Sequence, residues 1–255
     1  MHQFLSILKQ YWGYDEFRPL QGDIIQSISA GKDTLGLMPT GGGKSLTFQV
    51  PALAMEGVCI VVTPLIALMK DQVENLKKRD IRAAAIFSGM TNDEILTTLD
   101  NCVHEAYKFL YVSPERLATS VFLEKIKQTR VCMIAVDESH CISQWGYDFR
   151  PSYLRIADIR AILPEIPVLA LTATATPEVV DDIQEKLHFK QKNVFQKSFS
   201  RSNLAYVVRT TENKDELLLK ILNSVPGTSV VYVRNRKKTK EIADFLHLNN
   251  ITAEH

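Results

Sequence analysis

The chain of 255 residues is 45% hydrophobic, which is typical of an ordinary globular protein with one or two domains. Its 30 basic and 29 acidic residues give a formal charge of +1, so overall charge gives no nucleic-acid signal and any basic surface must be local. The four cysteines include no C-x-x-C pair, and no apolar stretch approaches the roughly 18 residues of a membrane span, so neither a zinc knuckle, a disulfide framework nor a membrane helix is indicated. Because the N-terminus also lacks a basic leader before an apolar core, we expect a cytoplasmic protein without membrane contact.

Short β-rich runs recur along the first 200 residues and alternate with segments of helical periodicity. The runs lie at 34–38, 58–63, 83–87, 108–112, 131–136 and 168–172. The helical segments include SLTFQVPALAM after the first run and PLIALMKDQVENLKKR after the second. Strands that are apolar throughout and alternate with helices predict a parallel sheet covered on both faces. We therefore predict an α/β lobe over residues 1–200.

A second series of elements follows a pause at FSRSN, residues 199–203. It begins with LAYVVRT and continues with a helix at DELLLKILNSV, a strand at TSVVYV and a helix at KKTKEIADFLHLNN. Two or three strands are too few to close a sheet of normal size. We expect residues 201–255 to be a linker and the incomplete start of a second lobe.

The segment MPTGGGKS, residues 38–45, stands where the first strand hands over to a helix, and we call it the phosphate loop. Glycines there let backbone N–H groups approach phosphate oxygens, and the following helix adds its positive N-terminal end. Lys44 would reach the β- and γ-phosphates of a nucleotide, and the Ser45 hydroxyl would bind Mg²⁺. Met38 occupies the first glycine position of the usual motif, so a glycine-rich turn with a chance Gly-Lys-Ser is the alternative. The predicted nucleotide-binding residues here are Thr40, Gly41, Gly42, Gly43, Lys44 and Ser45.

The segment DESH, residues 137–140, follows the strand VCMIAV, and we call it the acidic turn. Asp137 is placed to hold Mg²⁺, and Glu138 to orient the attacking water. Two acids after a strand could instead cap the next helix. With the phosphate loop upstream, ATP hydrolysis is the leading chemistry.

His140 has three possible roles: a buried core histidine, a zinc ligand or a sensor of the nucleotide. No second ligand lies at i+4, and a lone histidine seldom makes a metal site. We favour hydrogen bonding to the segment LTATAT, with Thr172 and Thr174 as partners. Those threonines could also form a strand-end turn that caps a helix near Pro177.

Further motifs complete a set in fixed order: GYDEFRPLQ (13–21), TPLIALMKDQ (63–72), YVSPERL (111–117) and SQWGYDFRP (143–151). With the phosphate loop, the acidic turn and LTATAT, this set resembles the RecQ DNA helicases of helicase superfamily two over nearly the whole chain. The resemblance implies a RecA-like P-loop NTPase lobe followed by the start of a second one. It also implies ATP and Mg²⁺ as cofactors, and 3′-to-5′ unwinding of single-stranded and partly duplex DNA.

The resemblance also assigns roles to residues. In GYDEFRPLQ, Gln21 would read the adenine edge, Arg18 would lie against the base and Tyr14 would stack near it. A catalytic set of Lys44, Asp137, Glu138 and His140 keeps the roles given above. Ser139 replaces the alanine that many relatives carry, which should leave the carboxylates unaffected.

SQWGYDFRP resembles an aromatic loop, residues 143–151, that binds unpaired bases. Trp145, Tyr147, Phe149 and Arg150 could stack on bases whatever their sequence. Because the loop starts just after the acidic turn, base binding would gate hydrolysis. The alternative for Tyr147 or Phe149 is a small aromatic cluster packed beneath a loop.

Backbone contacts to DNA are implied for Thr63 and Ser113. For Lys70 and the basic run 234–240, a solvated helix surface is an equal alternative. Because the chain ends before the family motifs that complete the ATP cleft and supply an arginine finger, we expect it to be inactive alone. We also expect it to be monomeric. Two other functions stay open: an RNA-directed helicase of the same superfamily, and a nucleic-acid-binding module without motor activity. A bacterial location at the nucleoid is expected.

Overall fold

A parallel seven-stranded sheet organises residues 1–199, the first of two compact units into which the chain divides. The computed structural model describes residues 1–146, 148–196 and 204–255, so predictions for Tyr147 and for the boundary at 199–203 lie outside the described residues. The strands are β1 (Thr34–Leu37), β2 (Val58–Val62), β3 (Ala83–Ile86), β4 (Phe109–Val112), β5 (Val131–Val136), β6 (Val168–Thr172) and β7 (Val194–Gln196). Their spatial order is β3-β4-β2-β5-β6-β1-β7, and every described pairing is parallel. The predicted α/β fold is confirmed, and β7 is an edge strand that the sequence analysis missed.

Helices connect these strands. They are α1 (His2–Trp12), α2 (Gln21–Ser29), α3 (Leu46–Ala54), α4 (Ile66–Lys77), α5 (Asn92–Val103), α6 (Ser120–Gln128), α7 (Ile156–Ile162) and α8 (Pro177–Lys186), with short 3-10 helices at Pro114–Arg116, Ser139–Ile142 and Pro151–Arg155. Helix α5 begins at a capping box, in which the Thr91 hydroxyl accepts from the Glu94 N–H and the Glu94 carboxylate accepts from the Thr91 N–H. Among the described residues, no helix is long and apolar enough to cross a bilayer.

The sheet is buried on both faces, which explains why its strands are apolar throughout. Within β2, Ile60 and Val62 belong to one apolar cluster, whereas Val61 belongs to the cluster on the other side of the sheet. Successive side chains of a strand point to opposite faces, so both alternate sets must be apolar when helices cover both. Two layers of helices therefore enclose the sheet and leave the strand ends as the place for polar residues.

Asp33, directly before β1, ties three distant segments together. Its Oδ2 accepts from Arg160 Nη2 of α7 at 2.6 Å and from the Lys190 N–H at 2.9 Å, and its Oδ1 accepts from the Val168 N–H at 3.0 Å. Asp33 and Arg160 are both buried. Because both carboxylate oxygens of Asp33 accept hydrogen bonds, this buried ion pair meets the condition under which such pairs are tolerated.

The second unit contains the two helices that the sequence predicts, α9 (Lys214–Ser224) and α10 (Arg236–Leu248). Each begins at an asparagine whose side chain accepts a backbone N–H, Asn213 from Glu216 and Asn235 from Lys238. The prediction of a strand at 228–233 is wrong, because this segment pairs with no other strand among the described residues, and neither does 204–210. An extended segment needs neighbouring strands to satisfy its backbone, and the apolar positions here stay outside any core, with Tyr232 92% exposed.

Candidate active site

Three polar segments meet at the carboxyl edge of the sheet, where ligands bind in open α/β folds. The phosphate loop follows β1, the acidic turn follows β5, and residues 173–176 follow β6, which lies between those two strands. The register pairs Leu37 with Thr172 and Val136 with Ala170. The Met38 N–H also donates to the Thr172 carbonyl at 3.0 Å. The fold thus brings together segments that are far apart along the chain.

The phosphate loop depends on its glycines. Gly41 and Gly43 both have φ of 76°, in the left-handed region that side chains disfavour. A Cβ on Gly42 would lie 2.8 Å from the Pro39 carbonyl oxygen, and one on Gly43 would lie 2.3 Å from Gln21 Nε2. Thr40 precedes these glycines at the start of the bend. No side chain fits where the loop approaches its neighbours this closely.

Lys44 and Ser45 are the last two residues of the phosphate loop and directly precede α3. The Lys44 ammonium lies 3.5 Å from the Met38 carbonyl oxygen, so it folds back over the loop. Ser45 is the residue before α3, and its hydroxyl makes no capping hydrogen bond. The positive end of α3 therefore begins directly behind a lysine and a serine hydroxyl, which is the composition of an anion-binding and metal-binding turn.

The predicted adenine reader Gln21 lies against the phosphate loop. It is 1% exposed, its Nε2 donates to the carbonyls of Gly43 at 3.0 Å and Gly42 at 3.3 Å, and its Oε1 accepts from the Arg18 N–H at 2.9 Å. Arg18 Nη1 donates to the Gly41 carbonyl at 2.7 Å. In this structure the two side chains hold the loop through its carbonyls.

Tyr14, the third residue of the predicted adenine-binding group, is 52% exposed. It stands apart from the tight contacts that Arg18 and Gln21 make. A half-exposed ring is accessible to a flat ligand.

Backbone and side-chain contacts fix the acidic turn. The Asp137 N–H donates to the Val62 carbonyl at 2.9 Å, Asp137 Oδ1 accepts from the Glu138 N–H at 3.0 Å, and the Tyr153 hydroxyl donates to the Asp137 carbonyl at 2.9 Å. Glu138 has φ 48° and ψ 43°, a left-handed conformation that is rare for a residue with a side chain. The side chain of Glu138 makes no capping hydrogen bond, so the helix-capping alternative is not supported.

Burial sets the electrostatics of the acidic turn. It raises the pKa of Asp137 to about 6, with the nearby Glu138 carboxylate as the second cause, and Lys44 and His140 act in the opposite direction. Burial also lowers the pKa of His140, so the imidazole is neutral at pH 7. A carboxylate that is costly to ionise is one that a bound cation would stabilise.

His140 makes the predicted contact with the end of β6. Its Nδ1 lies 2.9 Å from Thr172 Oγ1, and the Thr172 hydroxyl donates to the Thr174 carbonyl at 3.1 Å. The predicted hydrogen bond to Thr172 is therefore confirmed, and Thr174 is joined to His140 through Thr172. Glu138 Oε2 lies 3.4 Å from the same nitrogen.

The aromatic loop presents Trp145 to solvent, with 77% of the side chain exposed. The Ser143 hydroxyl anchors it by donating to Asp182 Oδ2 at 2.6 Å and accepting from the Trp145 N–H at 3.2 Å. A cavity of about 440 Å³ lies beside the tryptophan and is lined by His140, Trp145, Gly146, Thr174, Ala175, Thr176 and Val179. The loop thus offers one exposed ring next to the histidine of the acidic turn.

Phe149 and Arg150 of the aromatic loop are partly buried. Lys186 Nζ lies 6.0 Å from the centre of the Phe149 ring, and the Arg150 guanidinium pairs with Asp148 Oδ2 at 2.9 Å. The packing of Phe149 beside a helix residue agrees better with the alternative of a ring under a loop than with a freely exposed stacking surface. Asp148 and the Ser143–Asp182 contact had no sequence signal.

Thr63 and Ser113 end adjacent strands, β2 and β4, but lie beneath the surface. Each is 2% exposed, and neither hydroxyl has a hydrogen-bond partner. As they stand, these hydroxyls are not accessible to a nucleic-acid backbone. The Lys70 ammonium lies 4.8 Å from the centre of the Phe87 ring, so it already has a cation–π contact within the protein.

The comparisons with known proteins identify the family. The profile described as DEAD/DEAH box helicase matches residues 18–183. The chain belongs to the DEAD/DEAH box helicase family. The matched residues 18–183 include Gln21, the phosphate loop, the acidic turn and the aromatic loop.

Two relatives within that family have sequences similar to this chain. The chain is 44% identical over 256 residues to the ATP-dependent DNA helicase RecQ of Bacillus subtilis (strain 168), across 99% of this chain and 43% of the relative. It is 40% identical over 246 residues to the probable ATP-dependent DNA helicase RecS of the same strain, across 95% of this chain and 49% of that protein. The predicted resemblance to RecQ helicases is therefore confirmed, and the chain spans less than half the length of these relatives.

Solved structures support the fold. The crystal structure of the DUF1998 helicase MrfA matches this chain with a TM-score of 0.73 over 98% of the chain and 41% of MrfA. The identity is 16%, so this match concerns the fold alone. A RecA-like α/β architecture agrees with the parallel sheet described above.

Proposed function

We propose that this chain is the ATP-binding part of a RecQ-like DNA helicase that moves 3′-to-5′ by hydrolysing ATP. The observation that carries the proposal is the meeting of the phosphate loop, the acidic turn and the His140–Thr172 hydrogen bond at one sheet edge. Similarity to the RecQ helicase of Bacillus subtilis over 99% of the chain supports the same assignment. A pure binding module would not need this hydrolytic set.

In the proposed nucleotide site, Lys44 binds the β- and γ-phosphates, and the backbone N–H groups of residues 41–43 line the phosphate path. Ser45 and Asp137 would hold Mg²⁺. A hydroxyl that caps no helix and a carboxylate whose pKa is raised by burial fit a hard cation, which prefers oxygen ligands. Mg²⁺ would supply neutralisation of phosphate charge.

The remaining groups of the chain position the reacting water and the base. Glu138, held in a left-handed turn beside Asp137, orients the water for attack on the γ-phosphate. Arg18 and Tyr14 flank the adenine, and Gln21 reads its edge when the amide exchanges the loop carbonyls for the base. Because Gln21 is hydrogen-bonded to the phosphate loop, adenine binding by Gln21 would also change how the loop is held.

Nucleic acid would bind at the aromatic loop. Trp145 is the exposed stacking surface, and Phe149 and Arg150 would join it when their contacts with Lys186 and Asp148 open. Thr63 and Ser113 would contact phosphates only after a local rearrangement uncovers their hydroxyls. Single-stranded and partly duplex DNA are the proposed substrates, since stacking on unpaired bases is independent of sequence.

Residues 201–255 would begin a second RecA-like lobe after the first lobe at 1–200. An arginine finger from such a lobe contributes roughly 10³ to 10⁵ in turnover, so we expect this chain alone to hydrolyse ATP very slowly. We also propose that it is monomeric and acts in the bacterial cytoplasm at the nucleoid, as expected for a DNA motor.

Nucleotide binding and single-stranded DNA binding test the proposal directly. A fluorescent ATP analogue with Mg²⁺ should bind the unmodified chain and lose at least about tenfold in affinity in Lys44→Ala, because the ammonium supplies a charge-assisted contact to phosphate. Lys77→Ala, at an exposed position of α4, is the matched control. Equal analogue affinity in Lys44→Ala and the unmodified chain would contradict the nucleotide site.

The DNA part is tested with labelled single-stranded DNA and RNA of the same sequence. Trp145→Ala should weaken DNA binding, since each stacked base contributes about 1–3 kcal/mol. Steady-state ATP hydrolysis with added DNA should stay at the level of Glu138→Gln in this chain. Preference for RNA over DNA would replace the DNA helicase by an RNA-directed one.

A further inference from the structure

Three ligand-type side chains lie together beside the acidic turn, outside the proposed Mg²⁺ site. Cys141 Sγ is 3.8 Å from His140 Nε2 and 3.7 Å from Asp148 Oδ2, and the three ligand atoms all lie within 4.8 Å of one another. His140 and Cys141 are buried, and Asp148 is partly buried at the far end of the aromatic loop. Among the described residues this is the one group of three or more such side chains close enough to hold a metal ion.

We infer that His140, Cys141 and Asp148 form a binding site for a thiophilic divalent cation of the Zn²⁺ class. Zinc binds sulfur at about 2.3 Å and imidazole nitrogen at about 2.0–2.1 Å, so tetrahedral ligands are separated by roughly 3.5 Å. The two separations from the Cys141 sulfur, 3.8 Å and 3.7 Å, exceed that value by a few tenths of an ångström, and the third pair lies within 4.8 Å. Closing the three ligands around an ion therefore requires side-chain rotation, chiefly to bring His140 and Asp148 together.

The surroundings of His140 favour the tautomer that can bind a metal. The Thr172 hydroxyl lies 3.1 Å from the Thr174 carbonyl oxygen and can donate to it, which leaves Thr172 Oγ1 to accept from His140 Nδ1–H. Glu138 Oε2 stands 3.4 Å from the same Nδ1 and favours the same proton position. In that tautomer Nε2 carries the lone pair, and it lies 3.8 Å from the Cys141 sulfur. Metal-binding histidines commonly donate their other N–H to a carboxylate or a similar acceptor, which orients the ring.

The chemistry of the ligands selects the cation. One sulfur, one nitrogen and one carboxylate oxygen suit Zn²⁺ or Co²⁺ and are unsuited to Mg²⁺, which prefers oxygen ligands throughout. The ligand must be the thiolate, so the cation has to bind sulfur strongly enough to displace the thiol proton, which Zn²⁺ and Co²⁺ do and Mg²⁺ does not. Three protein ligands leave one tetrahedral position for water.

Arg150 opposes the cation. Its Nε and Nη2 both donate to Asp148 Oδ2, at 3.2 Å and 2.9 Å, and this is the oxygen nearest the Cys141 sulfur. A bound cation must share that oxygen with a guanidinium or replace it. The ion would connect the turn after β5 to residue 148, and it would compete with the pairing that now fixes Arg150.

Titration of the metal-free chain with Co²⁺ tests the site. Thiolate ligation gives a charge-transfer absorption that Co²⁺ bound only to oxygen and nitrogen lacks, so binding at Ser45 and Asp137 does not interfere. We expect the absorption to saturate at one Co²⁺ per chain and to be lost in Cys141→Ser. Cys132→Ser, the same change at a partly buried thiol of β5, should keep it.

Asp148→Asn provides a test that leaves the buried thiol intact, because Asp148 lies on a loop. Its Co²⁺ affinity should fall at least about tenfold, since even the loss of an outer partner of a ligand costs 10–100-fold. Arg150→Gln should raise the affinity. Absence of the thiolate absorption in the unmodified chain, or its persistence in Cys141→Ser, would overturn the proposal. The test does not depend on nucleotide or DNA binding.

Discussion

His140 Nδ1 lies 2.9 Å from Thr172 Oγ1, and this hydrogen bond joins the turn after β5 to the end of β6. Trp145 and Thr174 line one cavity with the same histidine. A base stacked on Trp145 and a nucleotide beside Asp137 would both lie close enough to the His140–Thr172 hydrogen bond to shift it. The pair is therefore the most direct physical connection between the two proposed ligand sites.

Thr172→Val should uncouple those sites while keeping the size of the side chain. We expect a nonhydrolysable ATP analogue to change the affinity of the unmodified chain for single-stranded DNA by about fivefold or more, as is usual for coupled sites. In Thr172→Val the two affinities should become nearly equal. Fluorescence anisotropy with and without the analogue measures the ratio.

Thr98→Val is the control for that experiment, because Thr98 lies on α5 and its hydroxyl only bonds to the Glu94 carbonyl. It should behave as the unmodified chain. A Thr172→Val protein with undiminished coupling would show that the hydrogen bond carries no signal.

Gln21→Glu should destabilise the first unit. The new carboxylate would face the carbonyl oxygens of Gly42 and Gly43, to which the amide now donates. Leaving such buried groups unpaired costs about 1–3 kcal/mol in the free energy of unfolding. Urea unfolding followed by circular dichroism measures the loss. Gln26→Glu, at an exposed position of the same helix, should change stability little.

Gly43→Ala and Gly13→Ala separate backbone strain from steric overlap. The two glycines have φ of 76° and 74°, so both substitutions carry a similar conformational cost of about 1 kcal/mol. Only at Gly43 does the new Cβ meet an atom, Gln21 Nε2 at 2.3 Å, whereas nothing lies within 4 Å at Gly13. We expect Gly43→Ala alone to reduce affinity for the fluorescent ATP analogue. Equal analogue affinity in both variants would argue against a tightly held loop.

Asp137→Asn should stabilise the fold at neutral pH. Because the folded-state pKa of Asp137 is raised to about 6 from 3.8, the unfolded state loses this proton first as pH rises, and stability falls between these values. The variant avoids that loss and should be more stable at pH 7 by about 3 kcal/mol. Below pH 4 the difference should vanish.

Thermal unfolding between pH 3.5 and 8 without Mg²⁺ checks this expectation, with Asp71→Asn on an exposed position of α4 as the control. Added Mg²⁺ should stabilise the unmodified chain and leave Asp137→Asn unchanged. A stability gap between Asp137→Asn and the unmodified chain that is constant over the whole pH range would contradict the raised pKa.

The strands of the first unit were predictable because burial on both faces demands apolar runs, and those runs are visible in one dimension. Strand β7 was not, since Val194 and Gln196 are exposed and the strand has only three residues. Segment 228–233 has the apolar pattern of a strand but lacks a partner. An apolar pattern therefore predicts a tendency to form a strand, and the presence of a partner strand decides whether the strand forms.

The site was predictable where a single residue type is chemically required. Glycines at 41–43 and the acids at 137 and 138 fall into this class. The contacts of Gln21 with loop carbonyls and of Tyr153 with the Asp137 carbonyl were not predictable, because they join residues that meet only in three dimensions. The same holds for the grouping of Asp148 with His140 and Cys141.

The position of Asp33 bears on how the protein reaches its folded state. Its partners Arg160, Val168 and Lys190 lie 127, 135 and 157 residues further along the chain. At a ribosomal rate of about 5–20 residues per second, the last of them is made roughly 8–30 s after Asp33. A lone buried carboxylate is too costly to enclose early, so β1 should join the sheet late. Nascent chains would then leave the place of β1 in the sheet unfilled until α7 and the segment before β7 have been synthesised.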